Sequence, residues 1–278
     1  MNVVLLMLAV TACYTFTSLS DKYAVSEAGF SGDEFTFLMC SSMAVFIGFT
    51  LPFQELYFSL SWQSIAAILL IAMCKILEFQ MSAAVLKLLS AFELKAWLGV
   101  TLFASYITDV VMGDSLSIIK LLCITAAAAG LMLIAATGKN GKREYKKIAL
   151  PLLMYLAAKY GYGLIIRTFT PFVSPTMQLV PALVLVALVM LLKIKPSEVI
   201  RKNKNGAIKV ILARIPNAAG MLMENAVIAI SLADYSFIQP MILVTLFIIG
   251  LIKREHCSRL NIAGGVICVL SVVAFQIF

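Results

Sequence analysis

The sequence predicts an all-α membrane protein of about ten transmembrane helices in two inverted five-helix repeats. Three observations lead there: an apolar composition, a series of apolar runs of spanning length, and a one-sided distribution of Lys and Arg between them. Of 278 residues, 62% are hydrophobic and 13% charged, which is more apolar surface than a water-soluble globule can bury. About 20 helical residues cross roughly 30 Å of hydrocarbon, so a chain of this length with short links holds about ten crossings and no separate soluble domain.

The apolar runs fall at 2–19, 33–53, 62–88, 92–112, 116–137, 148–168, 174–193, 206–231, 235–252 and 260–278, each bounded by charged or Gly- and Pro-containing turns. The first has no Lys or Arg ahead of it and no small-residue cleavage signature, so it reads as a retained span. The longest polar breaks are Gly138 to Lys147 and Lys193 to Lys209. The former divides the chain into a first repeat, 1–138, a basic linker, 139–147, and a second repeat, 148–278.

Sorted by link, 17 of the 22 Lys and Arg residues lie in odd-numbered links and two, Lys120 and Arg167, in even-numbered ones. The remaining three, Lys75, Lys159 and Arg214, lie inside spans. Cytoplasmic links hold the positive excess, so the links around Lys142 and Lys202 are expected in the cytoplasm and both termini away from it. The net charge of +8 therefore belongs to membrane-flanking links, in a plasma (inner) membrane, and nucleic acid is not an expected partner.

Six scattered cysteines without a CxxC pair, and a single histidine, His256, imply no metal site, disulfide framework or other cofactor. No Ser-His pairing, HExxH or glycine-rich phosphate loop is present, so an enzyme is not expected.

The halves show a weak internal likeness in register. Asp114 lies over Glu255 and Ser117 over Ser258 at two span junctions, and Ala84-Val85-Leu86 lies over Ala226-Val227-Ile228. Halves with an odd number of spans sit in opposite orientations, the arrangement that exposes one midplane site to either side in turn. The segments from Val111-Met112-Gly113-Asp114 through Ala129-Gly130-Leu131, and from Ile249-Gly250-Leu251 through Ala263-Gly264-Gly265, resemble the drug/metabolite transporter superfamily, in particular its EamA-type ten-helix members. The resemblance implies two five-span repeats around a central substrate cavity. Asp114 stands where that family usually has Glu, and the family's cytoplasmic termini differ from the orientation that the link charges predict.

Ionisable groups at membrane depth are costly and are the natural candidates for a site. Lys75 and Glu78 are three apart and share a helix face, as an ion pair or as part of a substrate site. Lys159 lies mid-run beside Tyr160 and Tyr162. Arg214, Asn217 and Glu224 share a face next to Pro216, whose missing N–H frees a carbonyl one turn back. Tyr14, Tyr160 and Tyr162 are candidate walls of the pocket, as is Tyr155, while Asp109, Asp234, Glu93 and Gln239 read as end-of-span or capping groups. Three cations against two carboxylates at mid-depth point to a guest with an anionic group. Glu78 or Glu224, desolvated, is a candidate proton carrier.

The expected function is secondary, proton-coupled transport of a small polar metabolite such as an amino acid or organic anion. The expected partners are that substrate, the bilayer and, through small-residue runs such as Ala126 to Gly130, a second copy of the chain. A structural or lipid-handling membrane protein is the alternative, ahead of a membrane-embedded enzyme.

Overall fold

The computed structural model describes residues 3–89, 91–135, 145–252 and 259–277. Most of the linker at 139–147, with Lys142, and the junction at 253–258, with Glu255, His256 and Ser258, lie outside the described residues. Among the described residues there is no strand, only an isolated antiparallel bridge between Phe58 and Val173. The chain is all-α, as the composition predicts.

Thirteen α-helices are described: α1 (Val3–Ser26), α2 (Gly32–Gly48), α3 (Trp62–Leu86), α4 (Ala91–Trp97), α5 (Thr101–Val111), α6 (Ile118–Ala135), α7 (Tyr145–Phe169), α8 (Pro175–Leu191), α9 (Pro196–Lys202), α10 (Lys204–Leu212), α11 (Arg214–Ile230), α12 (Leu232–Ile252) and α13 (Arg259–Ile277). Six helical stretches are long and apolar enough to cross a membrane: Val3–Asp21, Trp62–Leu86, Ile148–Phe169, Lys204–Ile230, Leu232–Ile249 and Arg259–Ile277. A seventh is added if Pro175–Leu191 and Pro196–Lys202, which meet at 83°, form one broken span. The protein is a multi-pass membrane protein on this measure.

Every apolar run coincides with a helix or a helix pair, and two of the runs are broken. The run at 92–112 divides into α4 and α5 across a 3-10 turn at Leu98–Val100. The run at 206–231 divides at Ala213, between α10 and α11. Pro216 supplies the reason, since it lacks the N–H that would bond the Leu212 carbonyl and its ring crowds that carbonyl. Arg214 Nε donates to the Val210 carbonyl at 3.1 Å, satisfying backbone beside the break.

The turn from α1 to α2 uses Gly29 at φ +72°, a left-handed conformation that glycine adopts without a Cβ clash. Ser31 and Glu34 then form a capping box on α2, which satisfies otherwise orphaned N–H groups.

Long-range packing pairs α1 with α11, α3 with α7, α2 with α8, α5 with α12, and α6 with α13. Where α6 crosses α13, a Cβ on Gly130 would lie 2.8 Å from the Gly264 carbonyl oxygen, and one on Gly264 would lie 2.6 Å from the Gly130 carbonyl oxygen. Only hydrogen side chains let these backbones touch.

Contacts between links define two ends of the bundle. At one end Lys202 Nζ reaches Glu34 and the Gly29 carbonyl, both at 3.0 Å, tying the α9–α10 link to the α1–α2 link. At the other, Ser174 N donates to Tyr57 O at 3.0 Å, and Asp109 meets the α11–α12 link. Among the described links, the first end carries the α1–α2 and the basic α9–α10 links, and the second the α2–α3, α7–α8 and α11–α12 links.

Candidate functional site

Near the middle of the bundle, α3, α7 and α11 bring four charged side chains together, and α1 adds Tyr14. Glu78 on α3 accepts from Lys75 Nζ at 2.8 Å and lies 3.2 Å from Lys159 Nζ on α7. The same Lys159 ammonium lies 3.5 Å from Glu224 on α11. Tyr14 on α1 donates its hydroxyl to the other oxygen of Glu224. Lys75 stands over the Tyr162 ring, 3.7 Å from its centroid, and Tyr162 donates to Asn225 Oδ1 at 2.6 Å. Lys75, Tyr162 and Glu224 are fully buried, so each charge depends on its neighbours for the solvation it has lost.

The local reasons are helical. Three residues advance a helix by most of a turn, so Lys75 reaches Glu78 on one face of α3. Lys159, Tyr155 and Tyr162 share a face of α7 at spacings of four and three, whereas Tyr160 is turned by about 100°. Gly220 allows α1 to approach α11, because a Cβ there would come within 2.9 Å of the Tyr14 ring and 3.0 Å of Cys13 Cβ.

A narrow cavity of about 70 Å3 runs from Lys159, Glu78 and Tyr14 past Ser18 and Ser82 to Asp21 and Leu86. It follows the C-terminal halves of α1 and α3 and the N-terminal half of α7, toward the end that carries the basic links. One water needs about 10–15 Å3 of such space, so the volume suits a few waters or part of a small solute. Tyr155 and Asn217 also line it. In the opposite direction Tyr162, Tyr235 and Asn225 are buried and close the path.

Beyond them Asp109 accepts from Ser231 Oγ at 3.0 Å, Leu232 N at 3.1 Å and Ala233 N at 2.8 Å, and pairs with Arg167 at 3.5 Å. Arg167 also donates to the Ile228 carbonyl at 3.3 Å. A polar opening of about 580 Å3, lined by Asp109, Asp114, Lys120 and Asp234 among others, lies outside this staple.

Of the residues singled out in the sequence, Tyr14, Lys75, Glu78, Lys159, Tyr162 and Glu224 come together. Asn217 lines the cavity two turns before Glu224 on α11, donating to the Met43 sulfur at 3.2 Å. Arg214 is fully buried and engages Asp21 at 2.6 Å, beside the cavity and away from the central four charges. Tyr160 is apart from the cluster: its hydroxyl meets Thr108 on α5, because it sits on another face of α7. Asp109 has the capping role that its position predicts, but across helices.

Asp21, Tyr235 and Asn225 were not among the expected site residues. Asp21 sits just past the first apolar run, so it reads as a link residue. The signal that finds it is the need of a buried Arg214 for a counter-ion. With Asp21 included, the apparent excess of positive charge disappears: Arg214 is neutralised at the cavity wall, and two ammoniums face two carboxylates at the centre. Among the described residues no group of three or more His, Cys, Asp or Glu side chains is arranged to hold a metal ion.

Neither the protein-family models nor the curated proteins compared with this chain give a match.

Proposed function

We propose that this protein is a secondary transporter of a small polar metabolite, built from ten spans in two inverted five-helix repeats, as the resemblance to EamA-type transporters implies. In this reading α2, the α4–α5 pair and α6 bring the count to ten with the seven longer stretches, the bent α8–α9 pair counted as one. The observation that carries the proposal is the balanced set of four charges at mid-depth, contributed by helices from both sides of the central linker and reached by a cavity from the basic end. Charges are costly at this depth and persist where a pathway uses them.

The helix pairings support the repeat. Exchanging each helix of the first half for its counterpart in the second turns the α1–α11 contact into the α7–α3 contact and α3–α8 into α11–α2, and leaves α2–α8, α5–α12 and α6–α13 unchanged, while the extensive α1–α12 packing has only a slight counterpart in α5–α7. The site obeys the same exchange. Tyr14 on the first helix of one half binds Glu224 on the third helix of the other, and Lys159 binds Glu78 in the reciprocal way. Along the chain, the two carboxylates are separated by almost the same number of residues as the two donors.

Charge balance narrows the guest. Stranding an unpaired buried charge costs on the order of 3–5 kcal/mol. A net-neutral guest such as an amino acid preserves the balance, and an organic anion does not. Each carboxylate already has an ammonium within 3.5 Å, so both negative charges of the centre are matched before a guest arrives. Purified protein in vesicles, screened by counterflow against amino acids and organic anions, tests the proposal. Saturable exchange of a net-neutral solute is expected. Flux no greater than in empty vesicles for every solute would refute it.

A further inference from the structure

Among the described residues Lys159 is the one side chain that binds both central carboxylates, 3.2 Å from Glu78 and 3.5 Å from Glu224. Its ammonium also lies 5.9 Å from the ring centroids of both Tyr14 and Tyr235. Two carboxylates and flanking aromatic faces are the chemistry that holds a protonated amine, since charge pairing and ring quadrupoles both favour a compact cation.

The two carboxylates are not equally provided for. Glu78 keeps a second ammonium, Lys75, at 2.8 Å. Among the described residues Glu224 has only Lys159 and the neutral Tyr14 hydroxyl, and the Glu224 oxygen facing Lys159 is buried without a hydrogen bond. Without a cation at the position of Lys159 Nζ, Glu224 is an uncompensated buried charge.

We propose that Glu78 and Glu224 form one ammonium-binding site that bridges the two halves of the chain, and that Lys159 is its tethered occupant. The bond across the halves is then made by a side chain on a flexible stem, where an exchangeable ion would otherwise be required. Lys159 and Glu78 both line the cavity, so an amine entering from the basic end reaches the same place. The site goes beyond the transport reading and exists whether or not a solute crosses.

The test is chemical replacement of the lysine, read by thermal unfolding of the purified full chain in detergent. Lys159→Ala removes the atoms of one n-propylammonium. It should lower Tm by several degrees, and n-propylammonium should restore most of the loss saturably. Methylammonium should restore less, and tetramethylammonium, which has no N–H donors, least. The wild type should not respond to n-propylammonium.

A second arm needs no amine. Lys159→Ala with Glu224→Gln leaves the neutral Lys75–Glu78 pair, so it should recover folded protein and lose the amine response. Lys159→Ala with Glu78→Gln leaves Lys75 and Glu224 each unpaired, so it should not recover. If Lys159→Ala alone does not fold, this contrast between double variants decides. Equal behaviour of the two doubles, an undiminished Tm in Lys159→Ala, or equal stabilisation of the wild type by the amine would overturn the assignment. Because Tm is the readout, failure here is distinct from failure to transport.

Discussion

The centre of the bundle and the Asp109 staple, at the end opposite the basic α9–α10 link, both bury carboxylates, and they satisfy them differently. Asp109 accepts from three fixed donors on the α11–α12 link, two of them backbone N–H groups at the start of α12, and pairs with an arginine that also holds the end of α11. Glu78 and Glu224 bind ammoniums on flexible stems and a tyrosine hydroxyl. Backbone donors and a planar guanidinium hold one geometry, whereas an ammonium is a compact point charge that can change partner at little directional cost. The difference is one of geometry: fixed donors lock one end, whereas the donors at the centre, where the guest is proposed to bind, are ammoniums on flexible stems and a hydroxyl.

Breaking the staple should have the largest effect on stability. Asp109→Ala orphans two backbone N–H groups and leaves the Arg167 charge unpaired, an expected loss of about 3–5 kcal/mol in detergent unfolding. Asp109→Asn, which keeps an acceptor, should lose less. A loss below about 1 kcal/mol for the alanine variant would mean that the α11–α12 link is held by something else.

The centre should respond in the opposite sense, with flux more sensitive than fold. In Lys75→Met with Glu78→Gln, both members of a buried pair are removed and Lys159 retains Glu224. Stability should change by about 1 kcal/mol or less. Substrate exchange should fall to the level of empty vesicles, and exchange at the wild-type rate would make the pair scaffold and shift the weight to Lys159 and Glu224.

The smallest effect sharpens the contrast between neighbouring residues of α7. Tyr160→Phe removes one hydroxyl from Thr108, which keeps its bond to the Ala104 carbonyl at 2.8 Å. Stability should fall by less than about 1 kcal/mol, with exchange unchanged. Tyr14→Phe, the same chemical deletion at Glu224, should slow exchange clearly. Equal responses of the two tyrosines in the counterflow assay would erase the distinction drawn here between helix faces.

Much of this was legible without coordinates. Apolar content and run length determine an all-α membrane protein, because the bilayer leaves helices few alternatives. The depth of Lys75, Glu78, Lys159 and Glu224 follows from counting along apolar runs, and the meeting of Lys75 with Glu78 follows from their spacing. The separation of Tyr160 from Lys159 was also readable, since adjacent residues on a helix face different ways, and Tyr155 was the better choice by the same rule. Pro216 announced the break at Ala213.

Tertiary structure alone decided the partners. That Arg214 is neutralised by Asp21, that Lys159 serves carboxylates on α3 and α11 at once, and that Asp109 caps a helix beginning far along the chain all depend on which helices lie side by side. Periodicity specifies the face that a residue occupies on its own helix, and it is silent about the helix opposite. In a membrane that choice rests on close packing at small residues such as Gly220, Gly130 and Gly264 and on the pairing of buried charges. Both are properties of two surfaces in contact, so they take definite form only when the helices meet.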